Sequence, residues 1–206
     1  MKNTGFKKNI TPEQALHLLK KGHDRFKNNK PQIQGLFQKA NAVSQNPSPF
    51  AAVLTCMDSR TTPELIFDQG IGNIFTLRLA GNVATQPILG SLEYTVAVAR
   101  IKLILVMGHT CCAAVKAACN FTGMENLYTL LSDIQTCIPR ELTEVSDRTG
   151  ENQSFVDKVA LLHVKQAARQ LEERSSIIRQ HVYANTIKII SSMYNVSTGT
   201  VTFYDD

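Results

Sequence analysis

The 206-residue chain contains no tryptophan and has few aromatic residues of any kind, 7% of its length. It also lacks any apolar run near the roughly 18 residues that a membrane-spanning helix requires. Its first ten residues are polar and carry lysines, without the apolar stretch of a signal peptide. We therefore predict one globular domain, residues 1–206, with no membrane partner.

Disulfide bonding is not indicated by the cysteine content. The five cysteines are an odd number, and their spacing matches no regular disulfide framework. Free thiols are typical of a reducing compartment, and they leave thiolate available to bind a metal ion. We therefore predict a cytoplasmic location.

The charge of the chain is moderately basic, with a formal net charge of +5 at pH 7. The lysines near the N-terminus have no aromatic residues among them, and no nucleic-acid-binding motif accompanies them. A solvated basic face explains this pattern better than a nucleic-acid interface does, so we predict no nucleic-acid partner. The residues concerned are Lys7, Lys8, Lys20, Lys21, Lys27 and Lys30.

Strand patterns alternate with helix patterns along the chain. Thr11, Pro12 and Gln14 have the spacing of a helix cap, and apolar residues then recur at helical period to about Lys27. Continuous apolar runs further on are typical of strands buried on both faces. The predicted strands are Phe50–Thr55, Asn73–Leu79, Ile101–Met107, Ile187–Met193 and Thr200–Tyr204; the predicted helices are Pro63–Phe67, Gln86–Arg100, Cys112–Asn120, Asn126–Cys137, Phe155–Glu173 and a short turn ending at His181, with Asn28–Pro49 as a connecting segment.

This alternation indicates an α/β fold. We predict a mostly parallel central sheet of four strands with a C-terminal antiparallel edge strand, and helices on both faces of the sheet. Residues 1–49 would form an N-terminal helical arm and linker, and residues 50–206 the catalytic core. In sheets of this kind, functional sites lie beyond the carboxyl ends of the strands.

Metal-ligating side chains follow two of the predicted strands. Cys56 comes directly after the first, and His109 and Cys112 follow the third. Adjacent strands would bring these residues together, and Gly108 would let the chain turn tightly out of its strand. Catalytic zinc sites use three protein ligands and keep one position for water. The three residues therefore predict one Zn²⁺ per chain.

An acidic and a basic residue accompany the first of these ligands, in the motif Cys56-Met57-Asp58-Ser59-Arg60. Alone, such a pair is more often a structural ion pair in a loop than a catalytic one. Beside a metal-bound thiolate, Arg60 can hold Asp58 ionised, and Asp58 can accept a proton from zinc-bound water and orient the hydroxide. We therefore predict that Asp58 and Arg60 are catalytic.

The remaining cysteines and histidines are expected to have other roles. Cys111 competes with Cys112 as a ligand, but its side chain should point differently, as a packed residue or a spectator thiol. Cys119 is expected to be a buried core residue, and nothing in the sequence around Cys137 indicates a chemical role. Surface or internally hydrogen-bonded positions are expected for His17, His23 and His163. His181, near the end of a short helix, is expected either to relay protons or to cap backbone carbonyls.

The sequence resembles the β-class carbonic anhydrases, and the resemblance extends beyond the ligands. It spans about 50–201, without a match in the N-terminal arm or in 125–151. The segments that carry it are Ser59-Arg60, Pro63–Gly70, Arg78–Asn82, Gly90–Tyr94, Gly108–Thr110, Ala114–Ala118 and Ile187–Val201.

The resemblance implies that the Cys-His-Cys set binds zinc and that the Asp–Arg pair is the catalytic dyad. It also implies an apolar pocket for carbon dioxide, lined by Phe75, Ala80 and Tyr94 and formed partly across a subunit boundary. Members of the family are dimers, often paired into tetramers, with the N-terminal helix reaching over the neighbour. A homodimer or homotetramer is therefore implied.

Three positions depart from patterns in that family. Many members carry Gln where this chain has Pro47, and Gly where it has Ala113. Pro47 cannot donate a hydrogen bond to substrate, and the methyl group of Ala113 intrudes beside the substrate position, so weaker bicarbonate binding is expected. Some members bind bicarbonate at a second site through a Trp that corresponds to Val53. Its absence predicts that Asp58 pairs with Arg60 and does not coordinate zinc.

Three hypotheses for function follow. The leading one is reversible hydration of carbon dioxide to bicarbonate and a proton by zinc-bound hydroxide. A second keeps the fold and replaces the substrate by carbonyl sulfide or carbon disulfide, which the altered pocket would favour. A third is a non-enzymatic zinc or redox-sensing module that uses the adjacent Cys111 and Cys112. The Asp–Arg pair argues against the third, because a sensor has no use for it.

Overall fold

A computed structural model describes residues 10–122 and 124–204 of the chain. The predictions made for the segment before Ile10, including Lys7 and Lys8, lie outside the described residues. The strands are β1 (Ala51–Cys56), β2 (Ile74–Leu79), β3 (Leu103–His109), β4 (Lys188–Asn195) and β5 (Thr200–Tyr204), and the helices are α1 (Pro12–Lys27), α2 (Leu36–Val43), α3 (Pro63–Ile66), α4 (Gln86–Ala97), α5 (Ala113–Cys119), α6 (Glu125–Gln135), α7 (Gln153–Arg174) and α8 (Ser176–Tyr183).

The strands form one sheet in the order β2-β1-β3-β4-β5. β1 pairs in parallel with both β2 and β3, and β3 pairs in parallel with β4. β5 returns antiparallel to β4. The predicted α/β class, the parallel core of four strands and the antiparallel edge strand are therefore confirmed. The division into an arm (1–49) and a core (50–206) stays a prediction.

Burial of the central strands explains their continuous apolar sequences. Every residue of β1 and of β3 is buried, because helices cover both faces of the sheet. Alternate residues of a strand point to opposite faces, so Leu54 joins one core cluster and Val53 the other. The larger cluster includes residues of α4, α5, α6 and α7, and the smaller one includes residues of α1.

Gly108 has a different role from the one predicted. It lies within β3, before the strand ends, and it does not form the turn itself. A Cβ atom at this position would lie 2.3 Å from Cγ2 of Val164 on α7. The missing side chain therefore lets α7 approach the strand that carries His109.

The segment predicted as a connection, Asn28–Pro49, contains the helix α2. The chain reaches this helix through Gly35, which has a left-handed backbone with φ of 58°. None of the residues of α2 is buried, so no core-facing stripe marked it in the sequence. The predicted cap of α1 is present: the Thr11 hydroxyl accepts from the backbone N–H of Gln14, and the Gln14 side chain accepts from that of Thr11.

Candidate metal centre

Three potential metal ligands meet where two neighbouring strands end. β1 ends at Cys56 and β3 ends at His109, and Cys112 is the cap residue before α5. One ligand atom from each side chain lies within 4.8 Å of the others, and all three residues are buried. The fold thus brings together the residues that the sequence singled out.

The imidazole of His109 has one nitrogen available as a ligand. Its Nδ1–H donates to the carbonyl oxygen of Thr110 at 2.9 Å. This bond places the proton on Nδ1 and leaves a lone pair on Nε2. Nε2 is buried and has no hydrogen-bond partner among the described residues. A buried polar atom without a partner costs free energy, and coordination of a cation would satisfy it.

The two sulfur atoms lie 3.9 Å apart. The hydrogen bond from Cys112 lowers the pKa of Cys56 to about 4, and the backbone of Asp58 and Gly81 lowers this pKa to a smaller extent. The same sulfur–sulfur contact, together with burial, raises the pKa of Cys112. A cation bound here would displace the thiol protons, since metal ions bind thiolates.

Asp58 and Arg60 form a bidentate ion pair at the mouth of this group. Arg60 Nε donates to Asp58 Oδ1 at 2.9 Å, and Nη2 donates to Oδ2 at 2.7 Å. The backbone N–H of Arg60 makes a further bond of 2.9 Å to Oδ1. The hydrogen bonds from Arg60 hold the pKa of Asp58 well below its usual range. Asp58 is therefore an ionised acceptor at neutral pH, and it is fixed in orientation.

The sequence indicated no role for Arg78 on β2, yet this residue holds the loop that carries Asp58. Its guanidinium donates to three consecutive carbonyl oxygens, at 3.2 Å to Cys56, 3.2 Å to Met57 and 2.6 Å to Asp58. Backbone carbonyls carry no sequence signal, so only the fold reveals this contact. The loop after β1 is thus anchored to the neighbouring strand.

Cys111 lies outside the ligand group, as predicted. Its backbone is left-handed, with φ of 57°, and its N–H donates to the Asp157 carboxylate of α7 at 2.9 Å. Its carbonyl oxygen accepts from Arg60 at 3.2 Å. The residue therefore contributes to the site through its backbone, which the sequence did not indicate.

The other cysteines and histidines lie away from the ligand group. Cys119 and Cys137 are buried in the larger core cluster, which confirms the core position expected of Cys119. Burial raises the pKa of Cys119 to about 11. Among the histidines outside the motif, His17 is exposed, whereas His23 and His163 are buried and hydrogen-bonded to the backbone.

An apolar cleft of about 640 Å³ opens beside the ligand group. Cys56 and Asp58 line one side of it, and Ala80 and Ala113 are also in its wall. Residues of α6 complete the lining, mainly Leu127 and Leu130. A neutral apolar molecule therefore has access to the ligand group.

Phe75 and Tyr94 lie elsewhere in this chain. They line a separate cavity of about 570 Å³, between the edge strand β2 and α4. The Tyr94 side chain is 58% exposed. Within one chain, two of the residues predicted for the substrate pocket are thus not in the cleft beside Cys56.

Two of the positions that depart from the family pattern, Pro47 and Val53, differ in their burial. Pro47 is exposed and does not line the cleft. Val53 is fully buried in the middle of β1. Nothing at Val53 offers a polar group to an anion.

The donor set fits a metal ion of zinc type. Zinc prefers sulfur and imidazole nitrogen in four-coordinate sites, and three protein ligands leave one position open. Two sulfurs that lie 3.9 Å apart and a buried, unpartnered imidazole nitrogen supply those ligands. Asp58 is bound to Arg60 and is not one of the three grouped residues.

Comparison with known proteins agrees with this site. Residues 51–201 match the family model described as carbonic anhydrase. The chain is similar to a carbonic anhydrase of Mycolicibacterium smegmatis, with 34% identity over 94% of this chain and 93% of that protein. It is also similar to carbonic anhydrase 2 of Mycobacterium tuberculosis, with 33% identity over 96% of this chain and 95% of that protein.

The fold is shared with solved structures of the same class. A tetrameric β-carbonic anhydrase of Sordaria macrospora superposes with a TM-score of 0.71 and 18% identity, over 94% of this chain and 98% of that one. At that identity the likeness concerns the fold alone. Taken with the family match over most of the sequence, it shows that this chain is an enzyme of the β-carbonic anhydrase family.

Proposed function

We propose that the chain catalyses the reversible hydration of carbon dioxide to bicarbonate and a proton, with one zinc ion held by Cys56, His109 and Cys112. The observation that carries this proposal is the placement of the ligand group beside an ionised Asp58 at an apolar cleft. Family membership supports the same reaction.

The residues around the ligands divide the chemistry between them. When bound, zinc supplies the Lewis acidity that generates a nucleophilic hydroxide from water near neutral pH. Asp58 accepts a hydrogen bond from the attacking oxygen. This bond orients the lone pair of that oxygen toward the substrate. Arg60 keeps Asp58 ionised, so that Asp58 accepts and does not donate. An Asp58 that remains bonded to Arg60 leaves the fourth ligand position open to water.

The cleft is suited to a neutral substrate and an anionic product. Its apolar wall of leucine and alanine side chains favours carbon dioxide, which carries no charge. Bicarbonate is charged and gains little from such a wall, so its release is favoured. Ala113 narrows the cleft next to Asp58 relative to a glycine.

We also propose that the active form is a homodimer or homotetramer. Phe75 and exposed Tyr94 lie on β2 and α4, at an edge of the sheet. A second copy paired at this edge would bring these two residues toward the cleft of its neighbour, where the resemblance assigns them. The solved neighbour from Sordaria macrospora is described as tetrameric.

The location of the protein stays a proposal as well. None of the five cysteines, all within the described residues, is in a disulfide, which is consistent with the proposed cytoplasmic location. Among residues 10–122 and 124–204, no helix combines the length and the apolar character needed to cross a membrane.

Stopped-flow hydration of carbon dioxide tests the proposed reaction. Zinc-loaded protein should accelerate bicarbonate formation, removal of the metal by a chelator should abolish the acceleration, and added zinc should restore it. Parallel assays with carbonyl sulfide and carbon disulfide separate the second hypothesis from the first. Zinc-loaded protein that hydrolyses carbonyl sulfide but leaves carbon dioxide unchanged would overturn the proposed substrate. Zinc-loaded protein inactive on all three would favour the sensing role.

A further inference from the structure

One peptide unit joins a carboxylate of α7 to a predicted metal ligand. This unit lies between Thr110 and Cys111, in the loop that connects β3 to α5. Its N–H donates to Oδ1 of Asp157 at 2.9 Å. Its carbonyl oxygen lies 2.9 Å from Nδ1 of His109, and the nitrogen must be the donor because a carbonyl oxygen only accepts. Asp157 is therefore linked to the imidazole of His109 through two hydrogen bonds and a single peptide unit.

The two hydrogen bonds depend on each other because a peptide unit is rigid. Its C–N bond has partial double-bond character, so the N–H and the carbonyl group of a trans peptide lie in one plane and point in opposite directions. A rotation that misdirects the N–H misdirects the carbonyl oxygen as well. By accepting from the N–H, Asp157 thus fixes the oxygen to which His109 donates. The tilt of the ring that presents Nε2 is fixed with it.

The backbone at Cys111 requires a contact of this kind. Its φ of 57° is left-handed, a conformation that is costly for a residue with a side chain and persists only where the surroundings impose it. The angle φ is the rotation about the bond that leaves the nitrogen of this same peptide unit. Arg60 contacts the carbonyl oxygen of Cys111, which belongs to the next peptide unit. The bond to Arg60 therefore does not replace the one to Asp157.

Asp157 is itself held in place. It lies on α7 seven residues before Val164, so the two side chains project from the same face of the helix. Val164 is the residue that packs at Gly108 of β3. The side chain of Gln153, one turn earlier on α7, donates to Oδ1 of Asp157 at 2.7 Å. Asp157 is not among the residues that line the apolar cleft, so it can act on the ligand but not on the substrate.

We propose that Asp157 is a positioning residue of the metal centre, which orients the imidazole of His109 through the peptide unit between Thr110 and Cys111. The inference rests on the proposed function, in that His109 must be a zinc ligand. Removal of a group that orients a metal ligand weakens metal binding by about 10- to 100-fold. Because Asp157 acts through an intervening peptide, we expect a loss at the lower end of that range.

The competing interpretation is that Asp157 only stabilises the fold, and Asp147 provides a matched control for that role. Oδ1 of Asp147 also accepts from one backbone N–H and one side-chain donor, which are the N–H of Thr149 at 3.0 Å and its hydroxyl at 2.7 Å. Both bonds are local to the loop that precedes α7. Loss of the Asp147 carboxylate should therefore affect stability alone.

Competition with a chromophoric zinc chelator tests the inference, at a temperature where each metal-free variant is folded. Asp157→Ala removes the acceptor and should weaken zinc binding by about 10-fold. Asp157→Asn keeps an acceptor oxygen without the charge, so it should recover most of the affinity. Asp147→Ala should bind zinc as the wild type does. Circular dichroism and thermal unfolding report the fold of each variant.

Three results would overturn the inference: folded Asp157→Ala with wild-type zinc affinity, Asp157→Asn with an affinity as low as that of Asp157→Ala, or an equal loss in Asp147→Ala. Should Asp157→Ala fail to fold, Asp157→Leu replaces it, since leucine has nearly the shape of asparagine but no acceptor. The Asn–Leu contrast then decides in the same way. A wild-type protein that binds no zinc would contradict the proposed function itself, and the wild-type titration reports that failure separately.

Discussion

Arg60 donates a 3.2 Å hydrogen bond to the carbonyl oxygen of Cys111 through the same nitrogen that pairs with Asp58. One guanidinium thus ties the loop after β1, which carries Asp58, to the loop after β3, which leads to Cys112. Arginine offers donors in a fixed fork and lysine does not. The Asp–Arg pair therefore has two functions, to keep Asp58 ionised and to hold the two ligand-bearing loops in one geometry.

Replacement of Asp58 by Asn tests the proposed role of Asp58 as the hydrogen-bond acceptor that orients the attacking oxygen. The amide keeps the shape of the side chain but offers one acceptor oxygen and no charge, so turnover should fall by about 10²- to 10⁴-fold. Zinc content should stay at one per chain, because Asp58 is not one of the grouped ligands. Stopped-flow hydration with metal analysis measures both. Unchanged turnover would contradict the role assigned to Asp58.

The neighbouring cysteines provide an internal test of the ligand set. Cys112 is in the group with Cys56 and His109, whereas Cys111 is not. Cys112→Ala should therefore lose stoichiometric zinc, and Cys111→Ser should keep it. Loss of the metal should also lower the melting temperature, because zinc that binds only the folded chain stabilises it. Equal zinc loss in both variants would mean that the ligands are assigned wrongly.

The sheet and the ligand set could be predicted from the sequence because their signals are local. β1 and β3 are continuous apolar runs, and Cys56 and His109 stand at their ends. Carboxyl ends of neighbouring parallel strands must meet at one edge of the sheet. To place Cys56 beside His109, it was then enough to assume that β1 and β3 are neighbours. The strand order confirms this assumption.

The supporting contacts could not be predicted because they are made with backbone atoms across long sequence separations. Arg78 reaches carbonyls about 20 residues away, and His163 reaches one 82 residues away. An arginine or a histidine in the sequence does not reveal which carbonyl it contacts. The helix α2 escaped prediction for a different reason, since it has no buried residue.

Arg78→Lys should lower turnover with little loss of zinc. Lysine keeps the charge but cannot reach three carbonyl oxygens at once, so the loop that carries Asp58 should shift. A misplacement of about 1 Å can cost about 10²-fold in rate, and we expect a loss of about 10- to 100-fold. Arg100→Lys, an exposed arginine outside the cleft, serves as the control. Equal activity of the two variants would show that Arg78 does not position the loop.

The stability of the fold should decrease as the pH falls below neutral, in part through His23. Burial lowers the pKa of His23 from 6.5, so the unfolded chain binds a proton at higher pH than the folded one does. The contribution of neutral His23 to the free energy of unfolding is therefore fully present above pH 6.5. It is lost as the pH falls from 6.5 toward the lower pKa of the folded state. His163 shifts in the same direction and adds to the effect.

Urea unfolding at pH 7.5 and at pH 5.5 measures this dependence. The free energy of unfolding of the wild type should drop between the two, and that of His23→Gln should drop less, because one of the buried histidines is gone. His17→Gln, on the exposed face of the same helix, controls for the mutation itself. A pH dependence in His23→Gln equal to that of the wild type would mean that His23 does not contribute to the pH dependence of stability.

Ala113→Gly should strengthen the binding of small anions, bicarbonate included. Ala113 is the first residue of α5 and lines the cleft with Asp58. Removal of its methyl group relieves a steric cost of about 1 kcal/mol next to the bound anion, which corresponds to about a fivefold change in affinity. Inhibition constants for bicarbonate, measured during carbon dioxide hydration, should fall by that factor. Ala117 lies on the same helix away from the cleft. Ala117→Gly should destabilise the helix by a comparable amount, about 1 kcal/mol, and leave the inhibition by bicarbonate unchanged. If both glycine variants bind anions alike, the methyl group of Ala113 does not restrict the site. Ala113 would then give no structural reason to expect a substrate other than carbon dioxide.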